Sequence, residues 1–325
     1  MKKILLSSLA LTVLTFASCK KKSTTEECTT CVKDLAADMA KLAAFHEINV
    51  PASQNFTVTA GTLSSITTAR GSKLTFPPNC MIGPAGVITS GPVSVEVKEI
   101  TDKVDFLLAN KGTASNGLPL ESAGTWMIKL KVGTADARIN PAVPLVAQIP
   151  RDAVQTANGG AMQLFNAQPA GGVLGGAINW GQPRPAVLDT ITQQGPIGQG
   201  IKLYGFQIDS VGWGNADRFM SNPIYVANTK LVAEGASDMS SMTCAFVYKG
   251  RKIIWRMNSV TAAGATDGHI AQGQIGHFIA YGFVNGVFTT GILQDQTVTG
   301  PNQTFTVKLV PQSEAAFKAQ LTSIL

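Results

Sequence analysis

Histidine is nearly absent from this chain, with three in 325 residues, and Asp, Glu, Lys and Arg together supply only 14% of it, against about 25% in ordinary globular proteins. Acid–base catalysis and metal binding therefore have few residues to work with. Apolar runs long enough to cross a membrane are missing as well: the stretch 4–16 falls short of the roughly 20 residues that a helix needs to span about 30 Å of hydrocarbon. The formal charge of +6 is not gathered into a basic stripe, the footprint expected of a nucleic-acid surface. No nucleic-acid partner is expected.

What the chain does have begins at its first residue. Lys2 and Lys3 precede the apolar stretch 4–16, and Ala17-Ser18 place small residues before Cys19, the flanks of an export signal. The Phe-Ala-Ser-Cys ending resembles a bacterial lipobox. That resemblance implies a signal peptide over 1–18 and a covalent lipid on Cys19, with no other cofactor expected. Loss of Lys2 and Lys3 lowers the charge to +4, three of which are Lys20, Lys21 and Lys22. Beside a lipid they favour anionic headgroups by about 1 kcal/mol each.

The remaining length suggests two domains, and a composition poor in charge and rich in Gly, Ser, Thr and Val suggests extracytoplasmic β structure. After a polar tether, Val32, Leu35, Met39, Leu42 and Phe45 or His46 recur at helical spacing, predicting a short amphipathic helix. Pro51 stops it, so 19–50 is read as lipidated tether and helix. Thereafter the period is two: Val93, Val95 and Val97 alternate with polar residues, as do Trp126, Ile128, Leu130 and Val132, each with one apolar face. Asn116-Gly117 suits a two-residue hairpin, and Trp180 a buried anchor within a Gly- and Pro-rich stretch. A boundary is expected in 183–200, which divides a β-domain over 51–200 from a second sandwich-like domain over 201–325. The latter carries strands at 202–208, 243–248, 252–257, 277–283 and 304–310. A last helix is predicted behind Ser313, presenting Phe317, Leu321 and Ile324. The fold class expected is mostly β, two β-sandwich-like domains between short terminal helices.

With those strands placed, GSKLTFPPNCM (71–81), GPVSVEVKEI (91–100), TASNGLPLESAGTWMIKL (113–130) and AMQLFNAQPAGGVLGGAINW (161–180) resemble a ZU5-type β-domain. FQIDSVGWGNADRF (206–219) is similar to the stretch that opens the second domain of Bacteroidetes-type envelope lipoproteins, after which the chain resembles a prealbumin or carboxypeptidase-regulatory sandwich. The resemblance implies an outer-membrane lipoprotein on the periplasmic or cell-surface face, of a family without assigned activity. Some ZU5 domains cleave themselves at His-Phe-Ser; His277-Phe278-Ile279 lacks the hydroxyl, so self-cleavage is not expected here.

Candidate sites are few. Cys28 and Cys31 form a C-x-x-C pair, read as a disulfide in an oxidising compartment ahead of a redox pair, which belongs after a strand; with Cys80 and Cys244, three pairings stay open. Trp213, Asn215, Asp217 and Arg218 are the densest polar and aromatic cluster. They make either a sugar-stacking platform with a hydrogen-bonding or calcium-ligating Asp217, or a packed junction in which Asp217 pairs with Arg218 or caps a turn; packing is favoured. His269 and His277 flank a Gly-rich hairpin, but no G-x-S-x-G accompanies them for a nucleophile. No catalytic residue and no metal site is expected. The function anticipated is non-catalytic: binding or scaffolding in the cell envelope, with a membrane partner through the lipid and an envelope protein or surface glycan as ligand. The alternative is a glycan-binding or glycan-hydrolysing protein, to be favoured by an exposed row of Trp and Tyr beside paired acids.

Overall fold

The computed structural model describes residues 34–150, 162–168, 179–183, 189–194, 200–235 and 238–325. Asp34–Leu325 is one compact unit, mostly β, with sheets stacked around two cores. The signal peptide, Cys19, Cys28 and Cys31 lie outside the described residues.

The first core is a sandwich. One sheet joins Gln54–Ala60, Gly91–Ile100, Leu118–Val132, Gly212–Phe219 and Gln163–Gln168; the other joins Asp189–Gln194, Gly200–Ile208, Leu145–Pro150, Lys73–Phe76 and Ser64–Thr67. The alternation read from sequence sets which side chains meet between them. Val93, Val95, Val97, Trp126, Ile128 and Leu130 turn inward against Leu74, Phe76, Ala147, Ile149 and Phe206. Asn116 and Gly117 both take positive φ, 47° and 79°, in the two-residue turn linking Ser115 to Leu118, as a hairpin of that length requires.

The boundary expected at residue 200 is not where the sheets divide. Gly200–Ile208 pairs with Leu145–Pro150, and Gly212–Phe219 pairs with Leu118–Val132, so both strands complete the first sandwich. The second core gathers from Met220 onward. Composition marks a Gly- and Pro-rich connection, but a strand that returns across it carries no mark of the sheet it joins.

In the second core, Thr229–Ala233, Gly264–Asp267, Ser259–Thr261 and Thr304–Val307 face a sheet built from Met242–Tyr248, Ile275–Val284, Val287–Thr297, Ile254–Arg256 and Val310–Pro311. Every residue of Met242–Tyr248 is buried, because the outer face of this sheet is covered too. Phe45 from the helix Leu35–Ile48, Phe106 and Leu107 from the helix Lys103–Leu108, and Phe317 and Leu321 from the helix Glu314–Ile324 pack there on Ala245, Val247, Ile279 and Tyr281. Ser313 caps the last helix, its Oγ accepting from the Ala316 amide at 3.2 Å.

The first helix packs through its expected face at Leu42, Phe45 and His46 and departs from it in its first turn. Leu35 is exposed, while Asp38 is buried because its carboxylate accepts the backbone N–H groups of Asn285 and Gly286 at 2.8 and 2.7 Å. Those amides belong to the turn between Ile275–Val284 and Val287–Thr297.

Candidate functional site

The cluster singled out in the sequence lies in Gly212–Phe219, against Leu118–Val132. Alternate residues on a strand share a face, so Asn215 and Asp217 stand together, away from Arg218. The Asn215 amide donates to Asp217 Oδ2, and Ser122 Oγ donates to Asn215 Oδ1 at 2.9 Å. The expected Asp217–Arg218 pair does not form, and Asp217 sits mid-strand and caps no turn. Arg218 turns instead to Glu121, its register partner, donating through Nε and Nη2 at 3.1 and 2.9 Å to Oε2. Arg251, from the second core's sheet edge, reaches the same oxygen at 3.3 Å. All of Asn215, Asp217, Glu121 and Ser122 are fully buried.

Burial pushes the Asp217 carboxyl well above the usual carboxylate range. The nearby Ser122 hydroxyl, the Asn215 hydrogen bond and the charge of Lys252 oppose that shift, while Glu121 adds to it. The group is sealed in the wall between the two cores, with Oδ1 buried and without a hydrogen-bond partner. It can hold the junction together; no substrate reaches it. Trp213 is half-buried, packed against the apolar groups around Leu120, Phe165 and Trp180. Lys111 Nζ stands 5.5 Å from the ring centroid, so the ring is engaged by the protein itself. Gly214, its neighbour, is required by close approach, since a Cβ there would meet the Trp126 indole at 2.8 Å.

His269 and His277 do not come together as a catalytic pair. His277 is buried in its strand and its Nδ1 accepts the Asp295 amide at 3.2 Å. The His269 ring lies near Tyr225 and Trp255, with Nδ1 3.5 Å from an Asp267 oxygen. Among the described residues no group of three His, Cys, Asp or Glu could hold a metal ion. Cys80 and Cys244 are buried in different cores and form no disulfide. Burial pushes their thiols up to about 11 and about 12, which leaves them protonated and unreactive.

Sequence reasoning missed a second polar feature. At one end of the first sandwich, Thr68, Ser72, Leu74, Val97, Glu99, Trp126, Ala147 and Ile149 line a cleft of about 230 Å³, its part open to solvent included. Glu99 stands in register with Trp126 on the inward-facing row begun by Val93, Val95 and Val97, and is itself buried. Gln54 Nε2 donates to Glu99 Oε2 at 3.1 Å, and Gln54 Oε1 accepts the Ala69 amide. Ser72 Oγ is buried and has no hydrogen-bond partner, while the Ser72 amide donates to Thr68 Oγ1 at 3.0 Å. Arg70 fastens the same turn from outside, through Asp102 at 2.7 Å, Thr101 at 2.8 Å and Asp105. The readable signal was a carboxylate falling on the apolar register of an alternating strand.

Comparison with protein-family models, with curated proteins and with solved structures found no match for the chain.

Proposed function

We propose that this protein is a non-catalytic outer-membrane lipoprotein that binds or scaffolds a partner in the cell envelope. The observation that carries the reading is the leader, Lys2-Lys3, the apolar stretch 4–16 and Ala17-Ser18-Cys19, followed by a polar stretch before the compact unit that opens at Asp34. Among the described residues no helix is long and apolar enough to cross a membrane, so attachment rests on the lipid.

The choice of a protein partner over glycan is supported by where the aromatic residues sit. Of the four Trp and four Tyr, Trp126, Trp180, Trp255, Tyr204, Tyr248 and Tyr281 are buried, Trp213 is engaged by Lys111, and Tyr225 is half-buried. A sugar-stacking row has no rings to form from. The sealed acids at the junction likewise support binding over hydrolysis.

Radiolabelled palmitate should enter the wild-type chain and not Cys19→Ala; equal labelling of both overturns the anchor. Capture of the wild type from its native envelope should then bring down a protein in near-equal amount. Saturable binding or turnover of surface glycan, with no such protein, promotes the alternative.

A further inference from the structure

We propose that the free edge strand Gln54–Ala60 pairs antiparallel with the same strand of a second copy of this chain, joining two first sandwiches into a two-fold dimer. The inference goes beyond the binding role proposed above and stands on the edge itself, with or without the lipid.

Gln54–Ala60 ends its sheet. It pairs with Gly91–Ile100 on one side, and among the described residues no strand pairs on the other. A row of unpaired backbone N–H and C=O groups is a template for another strand, and proteins blunt such rows with short strands, charges, proline, bulges or covers. The other sheet edges carry these devices. Ser64–Thr67 and Thr304–Val307 are four residues long, Ser259–Thr261 three, and Ala114–Ser115, Tyr225–Val226 and Ile270–Ala271 two. Asp189–Gln194 opens with an acid, and Val310–Pro311 ends in proline. Ile254–Arg256 is covered by Thr113, whose amide donates to the Ile254 carbonyl and whose hydroxyl accepts the Ile254 amide. Gln54–Ala60 has none of them: its seven residues include no charge and no proline, and all seven pair with Gly91–Ile100 without a bulge.

The strand also fits itself. Thr62 Oγ1 and Ser64 Oγ donate to the Thr59 carbonyl at 3.0 and 3.2 Å, which sets that carbonyl on the free side. Alternation places the backbone groups of Asn55 and Thr57 there with it. A two-fold axis through Thr57 then pairs Thr57 with its own copy and Asn55 with Thr59, forming about four to six backbone hydrogen bonds. On the outward face the partners are Thr with Thr and Asn with Thr, so no charges meet. On the inward face Phe56 meets Val58, and an aromatic beside a β-branched residue favours a sheet. Phe56 gains most, since it is half-buried at the open side of the first core while Val58 and Ala60 on the same row are buried. A slip of one residue would set this inward row against the polar outward one, so the axis is fixed. Pairing uses up the edge, and the assembly closes at two. A foreign strand would have to supply the same alternation, which the chain's own edge already has.

The test uses the full chain as it is processed, with Cys28→Ser and Cys31→Ser; Cys80 and Cys244 are buried. Under mild oxidation Thr57→Cys should form a disulfide-linked dimer, since opposite residues there stand about 5.5 Å apart at Cα, within disulfide reach. Asn55→Cys and Thr59→Cys should each give none alone, their own counterparts lying roughly 13 Å away, and should cross-link when mixed. In sedimentation, without oxidant or added cysteines, the chain should dimerise reversibly. Thr57→Pro, which removes the donor at the axis and is tolerated at an edge, should weaken the dimer by about tenfold or more. Thr57→Lys, which sets like charges opposite each other, should weaken it about fivefold and decides if the proline variant does not fold. A monomer at all concentrations, cross-linking indifferent to position, or a dimer indifferent to both substitutions overturns the proposal. So does capture from the envelope of another protein that Thr57→Pro releases from a monomeric chain, which assigns the edge to a foreign strand. Labelling of Cys19 is read separately, so a failed dimer leaves the anchor standing.

Discussion

The imidazole of His46 lies between Leu108 O at 2.9 Å from Nδ1 and Thr243 Oγ1 at 3.2 Å from Nε2. A carbonyl only accepts, so Nδ1 carries the proton and Nε2 accepts from the Thr243 hydroxyl. Burial lowers the group to about 4; the Leu108 hydrogen bond opposes this, and Arg256 and Lys111 add to it. In the unfolded chain the same group titrates near 6.5. As pH falls below that value the unfolded chain takes up a proton that the folded one refuses until about 4, so stability present above pH 6.5 is lost on acidification. Denaturant midpoints should show a loss on the order of 2 kcal/mol between pH 7 and pH 5, and His46→Gln should flatten that slope. A slope unchanged by the substitution would assign it to other groups. Asp217 has the opposite sign: its raised folded value means that stability is lost as pH rises through and above the unfolded value near 3.9. Asp217→Asn should therefore raise the melting temperature at pH 7, with the gain shrinking toward pH 4. Its neighbour behaves otherwise, since Arg218→Met removes two hydrogen bonds from the buried Glu121 carboxylate while Arg251 stays beside it, and should cost about 1.5–3 kcal/mol. None of this was readable from residues 213–218 alone. Adjacent positions on a strand face apart, and the partner that matters, Glu121, is 97 residues away.

At the scale of elements, what alternation or capping could express was legible. The valine strand, the Asn116-Gly117 hairpin and the Ser313-capped helix stand where period and turn chemistry place them. The first helix was legible in its face at Leu42, Phe45 and His46 but not in its first turn, where Leu35 is exposed and Asp38 buried. Hydropathy ranks Asp38 with the solvent-facing residues, and only the turn at Asn285-Gly286 gives that carboxylate a reason to be buried. Hydrogen bonds to a charged group contribute about 1.5–3 kcal/mol. Asp38→Ala, which removes two of them, should release Leu35–Ile48 from the sheet before the rest of the chain unfolds. Proteolysis within 35–48, or loss of amide protection confined to that helix, would show it; protection equal to wild type would mean that Phe45 and its apolar neighbours hold the helix alone. The inward Glu99 escaped notice for a related reason. Alternation marks a row by its apolar members, and Glu99 continues the Val93, Val95, Val97 row with a polar one.

For the molecule as a whole, the position of the second core was the least legible feature. A Gly- and Pro-rich stretch suggests a linker by composition, yet strand pairing is a long-range property that no local window holds. The consequence is sharp for fragments. A chain ending at residue 200 loses Gly212–Phe219, which sits between Leu118–Val132 and Gln163–Gln168, and leaves Leu145–Pro150 without Gly200–Ile208. Such a fragment should show no cooperative thermal transition, whereas a fragment ending at 219 retains every strand of the first sandwich. A cooperative transition in the shorter piece would restore the boundary read from composition.

The docking of Asp38 on Asn285 and Gly286 spans 247 and 248 residues of chain. Contacts that far apart in sequence form late, because the intervening loop must be closed before they repay its entropy. The helix Leu35–Ile48 is thus among the first segments to emerge during synthesis and among the last to find its place. Until Val287–Thr297 has turned back on Ile275–Val284, Phe45 and His46 have no sheet to cover. Docking of the helix Leu35–Ile48 is therefore expected to be a late step in folding.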